Sequence, residues 1–348
     1  MCIDVVLPLT GALANFGIQV KQGVEAAVSA VRSSGNDACF TEVRFHDDMC
    51  IPAVAVEIAG KIVASGGRLV LGHVCSSTSL AASSIYTRNN VTMLSPASSI
   101  SALTEQGLSG VFRVSIRDDV HARTAADYLA GEYRDKRIAI VFEDDLTGRA
   151  HANQISNLLA ARHIAVRVSV PFLPETPNAT VDELKSHNVD AVFYGGHFPD
   201  QFGLLLRTAR RTGFGGNFIS NQGANNRKVW DASEGAAEGL VFTFDEDYRL
   251  LPGAQKVVAN YRAFGIEPAG YTLPAYAAAQ ICIEASAQDS TGDELREILR
   301  TRTFETVIGA ISFDPKGDVQ GLSSVLYRWS NGNAAPFDSN SFPQAQIS

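Results

Sequence analysis

The sequence predicts an α/β protein with two doubly wound lobes, each a parallel sheet covered by helices. Three observations predict this fold class. Short apolar segments alternate with helix-like segments, the apolar segments are continuous, and the alternation restarts after residue 117. Continuous apolar strands separated by helices are typical of a parallel sheet buried on both faces. The length of 348 residues corresponds to about two domains.

The first lobe begins with a β-branched apolar run at residues 3–9, which predicts a strand. The next segment places apolar residues at helical spacing along one face, from Val20 to Val31. The pattern then repeats, with expected strands at 43–45, 69–71 and 92–94 and expected helices at 19–32, 53–64 and 77–88.

The second lobe follows the same order. We expect helices at 124–133, 148–161, 181–187 and 202–212, and strands at 137–142, 165–170, 191–194 and 217–220. The residues after 246 are too few for a third such unit. They contain expected helices at 271–289 and 292–300 and strands at 311–313 and 323–329, so we expect them to complete the two earlier sheets. The lobes are then discontinuous in sequence and joined by several crossovers.

Composition excludes some function classes. Lys and Arg total 29 and Asp and Glu total 37, which gives a net charge of −8. An acidic chain without a long basic run is a poor ligand for nucleic acid or an anionic membrane. Since no run of apolar residues approaches the length of a membrane span, we expect no transmembrane helix. The start runs directly into a strand, so we expect that an export signal has been removed.

Two serine-rich loops are the strongest candidates for a binding site. Gly72–Ser79 and Ser95–Ser101 each follow an expected strand and lead into a helix. Ligands of open α/β sheets bind beyond the carboxyl ends of the strands. Helix N-termini there offer unpaired N–H groups to a carboxylate or phosphate. The alternative is that these serines only cap their own helices.

Catalytic and metal signatures are weak in this sequence. It contains no G-x-S-x-G, H-E-x-x-H, C-x-x-C or Walker A motif, so we expect no metal and no cofactor. His73 lies three residues before Ser76, and an amidase-like hydrolase with this pair is the enzyme alternative. The paired acids at 47–48 and 144–145 are expected to be solvated or capping residues.

The loops resemble those of the periplasmic leucine/isoleucine/valine-binding proteins of ABC importers, which have the type I periplasmic binding protein fold. The resemblance extends from about residue 3 to residue 330. It is carried by Phe45-His46-Asp47-Asp48-Met49-Cys50, Gly72-His73-Val74-Cys75-Ser76-Ser77, Leu94-Ser95-Pro96-Ala97, Phe193-Tyr194-Gly195-Gly196, Ala237-Glu238-Gly239 and residues 311–318. It implies a hinge of three crossover strands, with one lobe at 1–117 and 248–325, the other at 118–247 and 326–348, and the ligand held in the cleft between them.

The resemblance also implies a set of ligand-binding residues. Ser76 would bind the carboxylate of an amino acid, Ala97 would offer its carbonyl to the ammonium, and Ser99 would contact both groups. Aromatic walls would come from Phe16 and Tyr271. The complete expected set is Phe16, Cys75, Ser76, Ala97, Ser98, Ser99, Thr147, His197, Phe198, Gln222 and Tyr271.

The second lobe departs from the family pattern. Gln222 stands where an acidic residue commonly pairs with the ligand ammonium, His197 replaces an aromatic residue, and Thr147 replaces a tyrosine. The loss of a charge-assisted hydrogen bond costs about 1–2 kcal/mol. A carboxylate-bearing ligand is therefore better supported than leucine itself. Two alternatives remain for Asp118, Asp119 and His121 at the first crossover, which either compensate for the missing acid or act as hinge residues.

The resemblance implies a periplasmic solute-binding protein, not an enzyme, that acts as a monomer and delivers its ligand to an inner-membrane ABC permease. Binding would stabilise the closed form of the two lobes. The alternative within the same fold is the ligand-sensing domain of a receptor.

The five cysteines bear on the compartment. The family's first-lobe disulfide falls on Cys50 and Cys75, which implies an oxidising environment. Cys2 precedes Thr10 by the same spacing as Cys39 precedes Asp47, and Thr10 and Asp47 are expected to end neighbouring parallel strands. We therefore expect that Cys2 and Cys39 can form a second bridge. Cys282 lies in an apolar helix and is expected to be a buried free thiol.

Overall fold

The computed structural model describes residues 2–33, 42–286 and 291–337. The chain divides into two compact units. Unit 1 lies within 1–117 and 247–322, and unit 2 lies within 118–246 and 323–348. The chain passes from one unit to the other three times. The sequence analysis placed the return of the chain to the second lobe after residue 325, which lies inside the strand Ser324–Ser330. In the structure the boundary between the two units falls between Leu322 and Ser323.

The strands are β1 (Cys2–Leu7), β2 (Glu42–Asp47), β3 (Leu69–Gly72), β4 (Thr92–Ser95), β5 (Val111–Arg113), β6 (Ile138–Glu143), β7 (Val166–Phe172), β8 (Ala191–Gly195), β9 (Asn217–Ser220), β10 (Val241–Asp245), β11 (Phe304–Thr306), β12 (Gly309–Phe313), β13 (Val319–Gln320), β14 (Ser324–Ser330) and β15 (Asn333–Pro336). The helices are α1 (Ala14–Ser33), α2 (Pro52–Ala64), α3 (Ser76–Arg88), α4 (Ala102–Glu105), α5 (Asp118–Glu132), α6 (Leu146–Ala161), α7 (Pro177–Ser186), α8 (Pro199–Arg211), α9 (Arg227–Ser233), α10 (Gln255–Ala263), α11 (Thr272–Ala285) and α12 (Gly292–Thr301).

Unit 1 is built on a parallel sheet with the order β2-β1-β3-β4-β5. Val5 and Val6 point to opposite faces and are both fully buried, so this sheet is covered on both sides. One core cluster joins Val6, Val70 and Met93 to α2 and α3. Elsewhere α1 packs against α11, and the fit is close because a Cβ on Gly23 would lie 2.3 Å from the carbonyl oxygen of Thr272.

Unit 2 is built on a larger sheet with the order β15-β14-β10-β9-β8-β6-β7. The five neighbouring strands β7, β6, β8, β9 and β10 are parallel to one another. Beyond β10, β14 pairs antiparallel with β10, and β15 pairs antiparallel with β14. The core lies between this sheet and helices α5 and α6, where Ile140, Ile155 and Leu159 are fully buried. These two parallel-sheet α/β units confirm the predicted fold class.

Several elements differ from the prediction. Helix α5 begins at Asp118 rather than at residue 124, because buried polar residues such as His121 occupy positions where periodicity demands apolar ones. Strands β5 and β10 were not predicted. The first has three residues, and the second carries a buried Thr243 that interrupts its apolar run.

The register expected for the first two strands is wrong. Strand β1 ends at Leu7, before Pro8, which lacks an N–H for the ladder. Leu7 therefore pairs with Asp47, and Cys2 pairs with Glu42. The spacing argument that placed Cys2 beside Cys39 assumed that Thr10 lies opposite Asp47. The residue opposite Asp47 is Leu7, so the assumed register is wrong by three residues.

Candidate functional site

The loop after β3 presents the start of α3. Cys75 is the N-cap and makes no side-chain capping hydrogen bond, and the first turn holds no acidic residue. The first N–H groups of a helix lack intrahelical acceptors, and this end carries partial positive charge. Ser76 and Ser77 lie half-buried at this point. The arrangement suits a carboxylate.

The loop after β4 is fixed against the β3 loop by buried serines. The Ser95 hydroxyl donates to the carbonyl of His73 at 2.7 Å and accepts the N–H of Ser98 at 2.9 Å. The Ser98 hydroxyl faces the carbonyls of His73 and Val74, each at 3.1 Å. Since Ser98 is fully buried and its hydroxyl is used within unit 1, we expect it to hold the loops together rather than to contact a ligand.

The structure brings together the residues expected to bind the carboxylate. The N–H of Ile100, the residue after Ser99, lies 3.4 Å from the Ser76 hydroxyl oxygen. Ala97 is 5% exposed and Ser99 is half-buried in the same loop. The ends of two adjacent strands therefore carry all three predicted residues.

An arginine that the sequence analysis missed supports the Ser99 loop from behind. Arg113, at the end of β5, is fully buried, and its Nη1 donates to the carbonyls of Ile100 at 2.8 Å and Ser98 at 3.2 Å. Its Nη2 donates to the Thr104 hydroxyl at 2.6 Å, and its Nε donates to Asp318 at 2.5 Å. No motif marks Arg113, and the available signal was a lone charge within an apolar strand.

Asp318 is the charged partner of this network. Burial alone would raise the pKa of its carboxyl. The Arg113 charge and hydrogen bonds from Arg117, Arg113 and Thr104 outweigh burial, so that the pKa of Asp318 lies below its ordinary value. Arg117 Nη1 lies 2.9 Å from the second Asp318 oxygen. The carboxylate is therefore ionised and held at neutral pH.

The predicted Cys50–Cys75 disulfide is confirmed, with a Cα–Cα distance of 5.7 Å. It joins the N-cap of α3 to the turn after β2, where Met49 and Cys50 both have positive φ. Two carboxylates hold that turn, because Asp47 accepts the N–H of Met49 at 3.0 Å and Asp48 accepts the N–H of Cys50 at 2.9 Å. The disulfide thus fixes the start of α3, where Ser76 lies.

The other three cysteines are Cys2, Cys39 and Cys282. Cys2 and Cys282 carry free thiols, and burial raises the pKa of the Cys282 thiol, as expected for an inert core residue. Cys39 lies outside the described residues. Because Cys2 carries a free thiol and pairs with Glu42, the expected bridge between Cys2 and Cys39 is not formed in this structure.

His73 does not form a catalytic pair with Ser76. It is fully buried, with Nδ1 2.6 Å from the Asp48 carboxylate and Nε2 3.1 Å from the Tyr86 hydroxyl. Both ring nitrogens are occupied by these partners. A general base must reach the proton that it removes, so this geometry gives the hydrolase alternative no support.

An aromatic pair in unit 1 supplies an apolar surface. The rings of Phe16 and Tyr271 meet edge to face with centroids 5.7 Å apart. The N–H of Tyr271 donates to the Gln19 side chain at 3.1 Å, which ties the start of α11 to α1. The structure therefore brings together the two predicted wall residues.

In unit 2 the loops after β6 and β8 meet at Glu143, another residue that the sequence analysis missed. Its carboxylate accepts the N–H groups of His197 at 2.9 Å and Phe198 at 2.7 Å, and the Tyr194 hydroxyl at 2.9 Å. Burial outweighs these contacts and raises the pKa of Glu143. Because Glu143 accepts the N–H groups of His197 and Phe198, it orients both predicted residues. The centroids of their rings lie 4.3 Å apart.

Thr147 and a group of acids lie at the start of α6. Asp145 caps this helix by accepting the N–H of Gly148 at 2.7 Å, and Thr147 is half-buried in the first turn. Within the described residues, Glu143, Asp145 and His197 are the one group whose ligand atoms lie within 4.8 Å of one another, as a metal site requires. The carboxylates of Glu143 and Asp145 already accept main-chain N–H groups. These hydrogen bonds explain why the two acids lie close together without a bound metal.

The loop after β9 places Gln222 beside Asp118. The Gln222 side chain is buried, and its Nε2 donates to Asp118 Oδ1 at 2.8 Å. This contact places the Asp118 carboxyl beside Gln222, at the position where the resemblance implies an acid.

The other two crossover residues are used differently. Asp119 pairs with Arg123 one helical turn away, at 3.4 Å. His121 is buried, with Nδ1 2.8 Å from the Ser324 hydroxyl and Nε2 3.4 Å from Asp245. His121 therefore joins three chain segments of unit 2 near the points where the chain enters and leaves it.

Among the described residues, no helix has the length and hydrophobicity needed to span a membrane.

Comparisons with known proteins show the family of this chain. The family model for periplasmic binding proteins matches residues 3–333. A curated relative from Pseudomonas aeruginosa, the leucine-, isoleucine-, valine-, threonine- and alanine-binding protein, is 30% identical over 328 residues, 92% of this chain and 88% of the relative. Crystal structures of the leucine-binding protein LivK from Thermotoga maritima (TM-score 0.87) and of an ABC transporter substrate-binding protein from Desulfitobacterium hafniense in complex with Leu (TM-score 0.81) are each 26% identical. The alignments cover 97% of this chain in both cases, with 98% of the first structure and 99% of the second. The chain belongs to the periplasmic binding protein family, and its relatives there include the leucine/isoleucine/valine-binding proteins.

Proposed function

We propose that this protein is the extracytoplasmic solute-binding component of an ABC importer and that it captures a free amino acid, branched-chain or closely related. The observation that carries the proposal is the carboxylate site of unit 1, with the uncapped start of α3, Ser76 and Ser99 on adjacent loops. The ligands named for the Pseudomonas aeruginosa and Desulfitobacterium hafniense relatives, among them leucine, isoleucine and valine, are amino acids with such a carboxylate.

The carboxylate of the ligand would lie at the start of α3. There it accepts the Ser76 hydroxyl, the first N–H groups of the helix and the N–H of Ser99. Hydrogen bonds to a charged group contribute about 1.5–3 kcal/mol each. The Arg113 network holds the Ser99 loop in place before the ligand arrives, which reduces the ordering cost of binding.

The ammonium would be recognised by oxygen atoms on both units. In unit 1 these are the Ala97 carbonyl and the Ser99 hydroxyl. In unit 2 we propose the Gln222 amide oxygen, with Asp118 supplying the negative charge that Gln222 itself lacks. We expect an inner-membrane permease to recognise the ligand-bound form of the protein.

The side chain of the ligand would meet aromatic surfaces. Phe16 and Tyr271 form one pair and His197 and Phe198 the other. These rings favour an aliphatic or aromatic ligand over a charged one. The confirmed Cys50–Cys75 bridge agrees with a periplasmic location, since such bridges persist in oxidising compartments. A binding role also needs no catalytic base, in agreement with the occupied ring of His73.

The direct test is a ligand panel. The protein is unfolded and refolded to remove any bound ligand, and titration calorimetry is then run with the common amino acids and with carboxylic acids that lack the ammonium. We expect saturable binding of at least one aliphatic amino acid, unchanged ligand by mass spectrometry, and a rise in melting temperature. Absence of binding across the panel at millimolar concentration would contradict the proposal.

Substitution of the carboxylate-binding serines gives a second prediction. Ser76→Ala and Ser99→Ala are each expected to weaken binding by about tenfold or more, because each removes a hydrogen bond to a charged group. The melting temperature of the ligand-free variants should change little. Ser186→Ala, which removes an exposed hydroxyl of unit 2, is the matched control and should bind as the unmodified protein does. Unchanged affinity in both test variants would place the site elsewhere.

A further inference from the structure

His151 is a buried residue with no role in the proposed function so far. It lies in α6 and is 4% exposed. Its Nδ1 is 2.7 Å from Nδ2 of Asn221, and its Nε2 is 3.4 Å from Oδ2 of Asp118. Asn221 belongs to the loop after β9 and immediately precedes Gln222. Asp118 belongs to the first turn of α5 and accepts a hydrogen bond from the Gln222 side chain.

The hydrogen bonds around Asn221 determine which nitrogen of His151 carries the proton. Asn221 Oδ1 accepts the N–H of Gly223 at 3.0 Å, which fixes the amide with Nδ2 toward the imidazole. Because Nδ2 is a donor, Nδ1 of His151 must be an acceptor. The neutral ring therefore has its proton on Nε2, which faces the carboxylate of Asp118.

His151 thus contacts both residues that hold Gln222. Asn221 immediately precedes Gln222, and Asp118 accepts the hydrogen bond of the Gln222 amide at 2.8 Å. A cavity of about 10 Å³, lined in part by Asp118, His151, Gln222 and Thr243, is the space left beside the ring. That volume holds at most one water, so the ring has little room to turn.

We propose that His151 is a positioning residue for ammonium recognition. In its neutral form it holds Asn221 and Asp118 so that Gln222 presents its amide oxygen to the ammonium of the bound amino acid. The inference rests on the proposed function and adds a residue to it. The effect of His151 is transmitted through its two neighbours, and it needs no contact with the ligand.

The proposal implies that protonation of His151 weakens binding. The imidazolium carries a proton on Nδ1 as well, which would then face the Nδ2 donor of Asn221. The groups around the ring are Asp118 and His121 on α5, Glu143 at the end of β6 and Asp145 at the start of α6. Burial lowers the pKa of His151, but the charges of Asp118, Glu143 and Asp145 outweigh burial and raise it above 6.5. Affinity should therefore fall as the pH drops through that raised pKa.

The experiment measures the affinity for leucine and for 4-methylpentanoate, its analogue without the ammonium, between about pH 6 and pH 8.5. His151→Gln keeps an acceptor and a donor in place but does not titrate. His151→Ala removes both contacts. His187→Gln, a half-exposed histidine of unit 2, is the matched control.

We expect His151→Ala to weaken leucine binding by about tenfold at the upper pH and to leave binding of 4-methylpentanoate unchanged. His151→Gln should restore leucine binding there and should lose the decline at low pH that the unmodified protein and His187→Gln show. The proposal is overturned if His151→Ala binds leucine normally, if both ligands weaken equally, or if His151→Gln keeps the pH profile of the unmodified protein. Failure of the unmodified protein to bind leucine at any pH contradicts the choice of ligand instead, and the panel above identifies that case.

Discussion

Arg113→Met is expected to lower the free energy of unfolding by about 3–5 kcal/mol, the usual cost of breaking a buried ion pair by removing one partner. The substitution keeps the length of the side chain but leaves Asp318 with the charge of Arg117 alone. It also removes the donors to the carbonyls of Ser98 and Ile100. Chemical denaturation measures the loss, and titration calorimetry should show weaker ligand binding, because the Ser99 loop loses its support.

Arg137→Met is the matched control for this substitution. Arg137 also forms a two-pronged pair with an aspartate, Asp190, but its side chain is 52% exposed. Solvent-exposed ion pairs contribute about 0–1 kcal/mol, so this variant should lose little stability and no affinity. Equal losses in the two variants would mean that burial of the Arg113 pair has no energetic consequence.

The Arg113–Asp318 pair also predicts how the stability of the protein depends on pH. The pKa of Asp318 is lower in the folded protein than in the unfolded chain, so the unfolded state binds more protons in acid. The stabilisation is therefore fully present above the ordinary pKa of an aspartate, and it is lost as the pH falls through the lowered value. Asp318→Asn should flatten the acid limb of a plot of stability against pH. An unchanged acid limb in Asp318→Asn would assign the loss to other carboxylates.

The fold was largely predictable because parallel sheets leave a strong pattern in the sequence. Continuous apolar strands such as β6 and β8 are bounded by helices with clear periodicity, and both were predicted within a residue. Prediction failed where buried polar groups replaced apolar ones. Thr243 interrupts β10, and Asp118 and His121 occupy the buried face of α5, where the Gln222 amide donates to Asp118 and the Ser324 hydroxyl lies 2.8 Å from His121.

The candidate site was predictable on the side that depends on main-chain geometry. The order of strands and helices located the two serine-rich loops, and the family resemblance then placed Ser76, Ala97 and Ser99 in them. The residues that hold those loops could not be predicted in this way. Arg113, Glu143 and His151 come from other strands and helices, and each acts through long-range contacts that no local pattern records.

Removal of the disulfide by the double substitution Cys50→Ser and Cys75→Ser is expected to cost about 3 kcal/mol of stability, as chain entropy predicts for a closed loop of this size. The bridge spans 25 residues. The substitution should also weaken ligand binding, because Cys75 is the N-cap of α3 and the freed helix end must be ordered again when the carboxylate binds. Thermal unfolding and titration calorimetry measure the two effects.

Two controls separate the loss of the bond from the loss of the side chains. The unmodified protein treated with a thiol reductant should approach the double variant in melting temperature and affinity, since in both the same covalent constraint is missing. Cys2→Ser, which alters a free thiol of unit 1, should behave as the unmodified protein does. If reduction lowers stability but leaves affinity intact, then the carboxylates of Asp47 and Asp48 hold the turn at Met49 and Cys50 without the bridge. The position of α3 would then depend on those hydrogen bonds rather than on the disulfide.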